Sequence, residues 1–103
     1  MSDIIERSQT HATFVIERTY PAPVEAAAYF TVAEAVGDAA RRGADRAVVT
    51  VDLEGGHLVV TVEDNGTGRD APMAALTDRV GALGGSLYLK ETVCRAEIPC
   101  ASS

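Results

Sequence analysis

The pattern of apolar and polar positions along the chain predicts strands that alternate with two helices. Strict alternation is typical of half-buried strands, whereas apolar residues recurring every three or four positions are typical of helices. Glycine pairs at Gly55-Gly56 and Gly84-Gly85 predict a hairpin turn and the end of the second helix. The predicted elements are strand 12–20, helix 24–42, strand 46–53, strand 57–63, helix 73–83, strand 86–91 and strand 93–98.

The alanine-rich segment 25–42 is the strongest helix signal, because alanine has the highest helix propensity. Two prolines precede it, two arginines close its last turn and Gly43 is placed as its C-cap. Residues spaced by three and four predict the stripe that faces the core. They are Phe30, Ala33, Val36, Gly37 and Ala40.

This order of elements predicts an α+β fold, a two-layer α/β sandwich with a mixed, mostly antiparallel sheet and both helices on one face. In the strand at 46–53, Val49, Val51 and Leu53 form an apolar face. The opposite face is mixed, and we expect it to be open to water or to a partner. Exposed apolar surface of that kind favours self-association.

The bulk composition is that of one small acidic domain. The chain has 103 residues and a formal net charge of −6, which argues against nucleic acid or an anionic membrane as the main partner. No apolar run approaches the ~20 residues that span a bilayer, and no signal peptide is recognised, so we expect a cytoplasmic protein. Cys94 and Cys100 are too far apart along one strand to bond, which predicts free thiols.

Candidate chemistry begins at residues 60–68, where a predicted strand ends in Asp64 and turns at Gly66 and Gly68. Glycine lets a flat ligand approach the backbone, and a carboxylate accepts a hydrogen bond from an amine such as that of a nucleobase. The alternative is an ordinary surface turn.

A second candidate lies on the first helix, where Glu34 and Asp38 stand four residues apart and share a face. Like charges at this spacing repel, and Gly37 beside them weakens the helix. Both features make sense if the face meets a cation or a ligand. The alternative is a solvated acidic face with a glycine admitted for close packing.

Four segments in order resemble the ATP-binding domain of histidine-kinase-type ATPases, which have the Bergerat fold. They are residues 24–44 (VEAAAYFTVAEAVGDAARRGA), 45–68 (DRAVVTVDLEGGHLVVTVEDNGTG), 76–89 (LTDRVGALGGSLYL) and 94–100 (CRAEIPC). The resemblance covers roughly residues 21–100. Within this family, the chain most resembles the sensor kinases of actinobacterial two-component systems. It implies a truncated Bergerat-like domain that binds ATP and Mg²⁺.

The resemblance also implies roles by position. Glu34 matches the catalytic glutamate that positions water or the metal shell, and Asp38 takes the place of the asparagine that ligates Mg²⁺. Asp64 matches the aspartate that receives the adenine amine, and Gly66 and Gly68 match the glycines that flank the adenine. The implied metal ligands are thus Asp38 and Glu34.

Two departures from the family pattern bear on these roles. An aspartate at position 38 keeps an oxygen ligand for Mg²⁺ but adds negative charge near a triphosphate. Residues 69–76 stand where the family has a lid and a second glycine-rich box, and they contain no glycine. Arg69 is interpreted as a solvated residue or, alternatively, as a partner for phosphate.

The N-terminal segment resembles a different family. Residues 10–25 (THATFVIERTYPAPVE) are similar to the opening strand of START-like proteins of the heat-shock-ATPase-activator type. We therefore expect residues 1–20 to be a tail, frayed over 1–10, plus a strand added to the sheet edge or paired with another chain in a homodimer. Residues 21–100 form the ATPase-like domain, and 101–103 form a second tail.

The main functional expectation is a degenerate or minimal ATP-binding module of a two-component histidine kinase. His11 and His57 are interpreted as surface residues, so phosphoryl transfer would need a separate histidine-bearing domain, and the expected partners are that phosphoacceptor or a response regulator. The alternative is a nucleotide-free interaction or dimerisation module derived from the same domain. A START-like ligand-binding fragment is a third reading.

Overall fold

The computed structural model describes residues 2–6, 20–69 and 72–100. Within these ranges the strands form one five-stranded sheet in the order β1-β2-β3-β5-β4, and every neighbouring pair is antiparallel. Both helices pack on the same face of this sheet, so the predicted two-layer α+β sandwich is confirmed. The elements are β1 (Ser2–Glu6), α1 (Ala22–Arg41), β2 (Arg46–Glu54), β3 (His57–Asp64), α2 (Ala74–Gly81), β4 (Ser86–Lys90) and β5 (Val93–Pro99).

The first strand corrects the prediction of a frayed N-terminal tail. Residues Ser2–Glu6 run antiparallel to β2, with Ser2 in register with Thr50 and Glu6 in register with Arg46. An edge strand presents unpaired backbone groups, and an extended segment that pairs with them satisfies those groups. The strand predicted at 12–20 lies outside the described residues except for Tyr20, which precedes α1, and the tail at 101–103 also lies outside them.

The β2–β3 hairpin turns where the glycine pair predicted it. Gly55 and Gly56 have φ of 56° and 80°, the left-handed conformation that a two-residue hairpin loop requires at both central positions. Glu54 is consequently in register with His57, and the pairing continues to Ala47 opposite Asp64. In this register Asp64 is the last residue of β3 and lies beside the C-terminus of α1.

The helix α1 runs from Ala22 to Arg41, close to the predicted 24–42, and its buried face differs from the predicted stripe. Pro21 is its N-cap. Its C-cap is Arg42, and Gly43, which was predicted as the C-cap, follows with φ of 82°. Of the predicted stripe, Phe30 and Val36 are half-buried and pack against the core, whereas Ala33 is exposed, so the stripe is only partly right. Because alanine lines several faces of this helix, periodicity alone does not select one. The buried residues are Val24, Ala27, Ala28, Thr31, Val32, Ala35 and Ala39.

The core lies between the helices and the inner face of the central strands. It is built from side chains of α1 and α2 together with alternate residues of β3 and β5, the latter being Leu58, Val60, Val62, Cys94, Ala96 and Ile98. The helices cover β2 less completely towards the hairpin. Val49 is buried, Val51 is half-buried and Leu53 is 44% exposed. The apolar face predicted for β2 is therefore covered over only part of its length.

Neither helix in the described ranges combines the length and the apolar character that a membrane crossing requires.

Candidate functional site

The structure brings Asp38 and Asp64 together at the C-terminal end of α1. Asp38 lies one turn after Glu34 on α1, and Asp64 is the last residue of β3. The side chain of Arg42, at the C-cap of α1, lies between the two carboxylates and bonds to both. Of the residues predicted for one nucleotide site, the structure thus brings Asp38 and Asp64 near each other, but with an arginine between them.

The pair formed by Arg42 and Asp64 is bidentate and buried. Arg42 Nη2 donates to Asp64 Oδ2 at 2.6 Å, and Nη1 donates to Oδ1 at 3.1 Å. The backbone amide of Gly66 adds a third bond to Oδ1 at 2.9 Å. The Asp64 side chain is only 1% exposed and that of Arg42 is 11% exposed. Such fork-to-fork pairs are among the strongest hydrogen-bonded contacts in proteins.

Asp38 is held by two arginines from different parts of the chain. Arg42 Nε donates to Asp38 Oδ2 at 2.8 Å, and Arg69 donates to the same oxygen from Nε at 3.2 Å and from Nη2 at 3.1 Å. Arg69 is 6% exposed at its side chain, so the prediction that it is simply solvated is wrong. We call Asp38, Arg42, Asp64 and Arg69 the carboxylate–arginine network.

The network also ties the end of α1 to two loops. Arg42 donates to the carbonyls of Thr67 and Glu91, and Arg69 donates to the carbonyls of Lys90 at 2.6 Å and Val93 at 3.1 Å. These contacts join the end of α1 to the loop after β3 and to the turn between β4 and β5. With two arginines and two carboxylates the network is neutral in formal charge. Its first effect is therefore structural.

The two glycines of the loop are required by packing within the chain. A Cβ on Gly66 would lie 2.9 Å from the carbonyl oxygen of Arg42 and 3.1 Å from the amide of Ala44. A Cβ on Gly68 would lie 3.1 Å from Cβ of Glu91. The sequence predicted that a flat ligand approaches the backbone at Gly66, whereas in the structure the end of α1 lies against that glycine.

Glu34 stands apart from the network. It is half-buried on α1, and no hydrogen bond or ion pair joins it to another described residue. Within the described ranges, no three histidine, cysteine, aspartate or glutamate side chains gather closely enough to hold a metal ion. Glu34 and Asp38, the predicted metal ligands, lie one helical turn apart on α1. Asp38 already binds two arginines.

The electrostatics of the network keep its groups charged. Burial raises the pKa of Asp38, but the hydrogen bonds from Arg42 and Arg69 outweigh it, and the net pKa lies below the ordinary value of 3.8. Hydrogen bonding to Asp64 raises the pKa of Arg42 above its usual value, against the opposing effect of burial. Neither charge is therefore lost near neutral pH.

The arrangement does not fit a nucleotide as the side chains stand. A purine amine would need an accessible oxygen of Asp64, and that carboxylate is buried behind the guanidinium of Arg42. A magnesium ion at Asp38 would compete with two arginines for the same oxygen. A nucleotide at this position would therefore have to displace Arg42 first.

A separate groove lies between the N-terminal half of α1 and α2, with a volume of about 620 Å³. Its walls are mostly apolar, and Arg79 covers the ring of Phe30 at 4.5 Å from the ring centroid. The groove contains none of the predicted site residues. Its lining residues are Pro23, Ala26, Ala27, Phe30, Ala75, Asp78, Arg79, Ala82 and Leu83.

The sequence analysis missed the role of both arginines. For Arg42 a signal was available, because it follows Asp38 by four residues on a helix and such pairs share a face. For Arg69 there was none, since its 31-residue separation from Asp38 is closed only by the folded sheet. No protein-family model matches this chain, and no curated protein matches it in sequence.

Proposed function

We propose that this chain is a nucleotide-free interaction module that resembles the ATPase domain of histidine kinases. The observation that supports this most directly is the position of Arg42, which fills the space between Asp38 and Asp64. The carboxylates that would recognise a nucleotide hold the fold together instead. The family resemblance and the predicted partners, a phosphoacceptor domain or a response regulator, stay predictions.

The surface of the described residues supports an interaction role. Tyr29 and Tyr88 are each 52% exposed and Leu53 is 44% exposed, and the groove between the helices is mostly apolar. These three side chains lie apart from one another, on the helical layer, at the end of β2 and at the edge strand β4. The groove is the continuous apolar surface, and surfaces of that kind commonly mark contacts.

Titration with Mg-ATP and Mg-ADP tests the proposal against weak nucleotide binding. We expect no change in the thermal unfolding of the parent chain at millimolar nucleotide. A dissociation constant of about 10⁻⁴ M would instead add about 1.4 kcal/mol to the free energy of unfolding at about 1 mM nucleotide. Calorimetric titration under the same conditions gives an independent measurement.

Three variants make the result specific. Nucleotide binding by the parent that is lost in Asp64→Ala, retained in Asp52→Ala and tightened in Asp38→Asn would overturn the proposal and establish the predicted ATP site. Asp52 is the control because it is an exposed aspartate on β2, away from the network and from the glycine loop. Circular dichroism of each variant checks that it folds before binding is compared.

A further inference from the structure

Asn65 is the one asparagine in the chain, and a glycine follows it directly. An asparagine before a glycine is especially prone to spontaneous deamidation, because the glycine has no side chain to hinder attack by its own backbone nitrogen. Asn65 lies in the loop after β3 and is exposed to solvent. Water can therefore reach this residue, and the loop contains a reactive dipeptide that has no part in the predicted nucleotide contacts.

The reaction forms and breaks defined bonds. The backbone nitrogen of Gly66 attacks Cγ of Asn65, the bond from Cγ to Nδ2 breaks, and Nδ2 leaves as ammonia with the amide proton of Gly66. Water then adds to one of the two carbonyl carbons of the resulting succinimide ring and opens it. The product at position 65 is aspartate or isoaspartate, and isoaspartate has one extra methylene group in the main chain.

The side chain of Asn65 is bound to the start of β2. Its Oδ1 accepts hydrogen bonds from the backbone amides of Asp45 and Arg46, each at 3.1 Å, and its Nδ2 donates to Asp45 Oδ1 at 2.7 Å. Attack on Cγ destroys the planar amide that these three bonds fit, and it removes the nitrogen that donates to Asp45. The contacts with β2 therefore oppose the reaction.

The attacking nitrogen is also held. The backbone amide of Gly66 donates to Asp64 Oδ1 at 2.9 Å, and Arg42 fixes the same carboxylate through its bidentate pair. Attack requires loss of the amide proton, and the anion formed would face the negative charge of Asp64, which disfavours it. The carboxylate–arginine network thus reaches the reactive dipeptide through this hydrogen bond.

We propose that Asn65 is a site of spontaneous deamidation that the folded loop restrains, so that the reaction proceeds when the loop separates from β2 and from the end of α1. Surface loops open locally at a lower free-energy cost than the whole domain. Opening frees the side chain of Asn65 and the amide of Gly66 together. This modification goes beyond the proposed interaction role and does not depend on it.

Deamidation would change the contacts that hold the loop in place. In the aspartate product a carboxylate oxygen takes the place of Nδ2, which lies 2.7 Å from Asp45 Oδ1, so that two negative charges meet and repel. Isoaspartate lengthens the main chain beside Gly66, where even a Cβ would come within 2.9 Å of the carbonyl oxygen of Arg42. Both products should weaken the attachment of the loop, and loss of ammonia makes the change one-way.

Peptide mapping by mass spectrometry during incubation at mildly alkaline pH measures the rate at Asn65. We expect the folded chain to react at least about tenfold more slowly than the same chain unfolded in urea. Aspartate and isoaspartate appearing together identify the succinimide route. A folded chain that reacts as fast as the unfolded one, or faster, overturns the restraint. An unfolded chain that does not react overturns the site itself.

The matched comparison is Asp45→Ala against Asp52→Ala. Both substitutions remove an exposed aspartate at or beside β2, and only Asp45 accepts a hydrogen bond from Asn65. With folding confirmed by circular dichroism, we expect Asp45→Ala to react about fivefold faster than the parent and Asp52→Ala to stay within about twofold of it. Equal rates in the two variants overturn the restraint by β2.

The effect of the product is tested by Asn65→Asp. This variant should unfold at a lower urea concentration than the parent, because its new carboxylate faces Asp45. Adding Asp45→Asn exchanges donor and acceptor and should restore much of the loss. An Asn65→Asp chain that is as stable as the parent overturns the effect assigned to deamidation, as does a loss that Asp45→Asn does not reduce.

Discussion

Arg42 and Asp64 form a bidentate ion pair across 22 residues of sequence, with Nη2 and Oδ2 separated by 2.6 Å. The pair joins the end of the long helix to the end of the central strand β3. Since Asp64 is almost fully buried, its charge has no alternative partner in water. Together with the hydrogen bond from the Thr67 amide to the Arg42 carbonyl, the pair joins the end of α1 to the glycine loop, a junction that we call the corner.

Removing the arginine tests how much the corner contributes. Arg42→Met leaves the buried carboxylate of Asp64 without its main partner, and we expect a loss of about 3–5 kcal/mol in the free energy of unfolding. Urea unfolding measures it. The matched control is Arg41→Met, whose side chain is 70% exposed and which should change stability by less than about 0.5 kcal/mol. Equal losses in both variants would contradict a dominant buried pair.

The two loop glycines should respond differently to the same substitution. Gly66→Ala places a methyl group 2.9 Å from the carbonyl of Arg42, and backbone cannot move aside easily, so we expect a loss of about 1–3 kcal/mol. Gly68→Ala places its methyl group 3.1 Å from Cβ of Glu91, a less close approach, and the outer atoms of that side chain can turn away, so it should lose less. Thermal unfolding of both variants decides the order. A larger loss in Gly68→Ala would contradict the conclusion that Gly66 packs more tightly against α1 than Gly68 packs against Glu91.

Acid should remove the contribution of Asp38 to stability. Its pKa is lowered in the folded state, so the stabilisation is complete above the unfolded value of 3.8 and is lost as the pH falls through the folded value. Asp38→Asn should therefore be less stable than the parent at neutral pH, and the difference should shrink as the pH falls below 3.8. Urea unfolding at several pH values measures the difference. A difference that is constant down to the acid limit would contradict the assignment.

High pH should lower the stability of the fold through ionisation of the Cys94 thiol. Burial raises the pKa of this thiol from 9.0 to about 11, so the folded state favours the neutral form. That stabilisation is present below pH 9.0 and is lost as the pH rises towards about 11. We expect Cys94→Val to lose less stability than the parent across this window, and Cys100→Ser to behave like the parent. A parallel decline in the parent and Cys94→Val would count against the buried thiol.

Replacing Gly37, in the interior of α1, should raise the free energy of unfolding and not lower it. A Cβ on Gly37 would meet only Nη1 of Arg41, at 3.5 Å, which is an ordinary contact. Gly37→Ala should therefore stabilise the chain by about 0.5–1 kcal/mol, because alanine restricts the unfolded chain and favours the helix. Thermal unfolding checks the sign. A loss would mean that close packing at Gly37 is needed, as it would be where another chain approaches the helix.

The local elements were predictable from residue types. Pro21 and Pro23 at the start of α1, Gly43 after it and the pair Gly55-Gly56 set the bounds of the helix and the hairpin through backbone restrictions that act within a few residues. The roles given to Asp38 and Asp64 came from a family resemblance and stay predictions. The sequence by itself therefore determined the helices and the central hairpin.

Only the tertiary structure decided which face of α1 is buried, that residues 2–6 form an edge strand and that Arg42 and Arg69 bind the aspartates. Alanine on nearly every side of α1 satisfies the helical repeat equally well in several orientations, so packing of Val24 and Val32 against the sheet makes the choice. Ion pairs between distant residues depend on where the folded strands end and on how much water is excluded there. Those quantities belong to the assembled molecule, because no local pattern of residues encodes them.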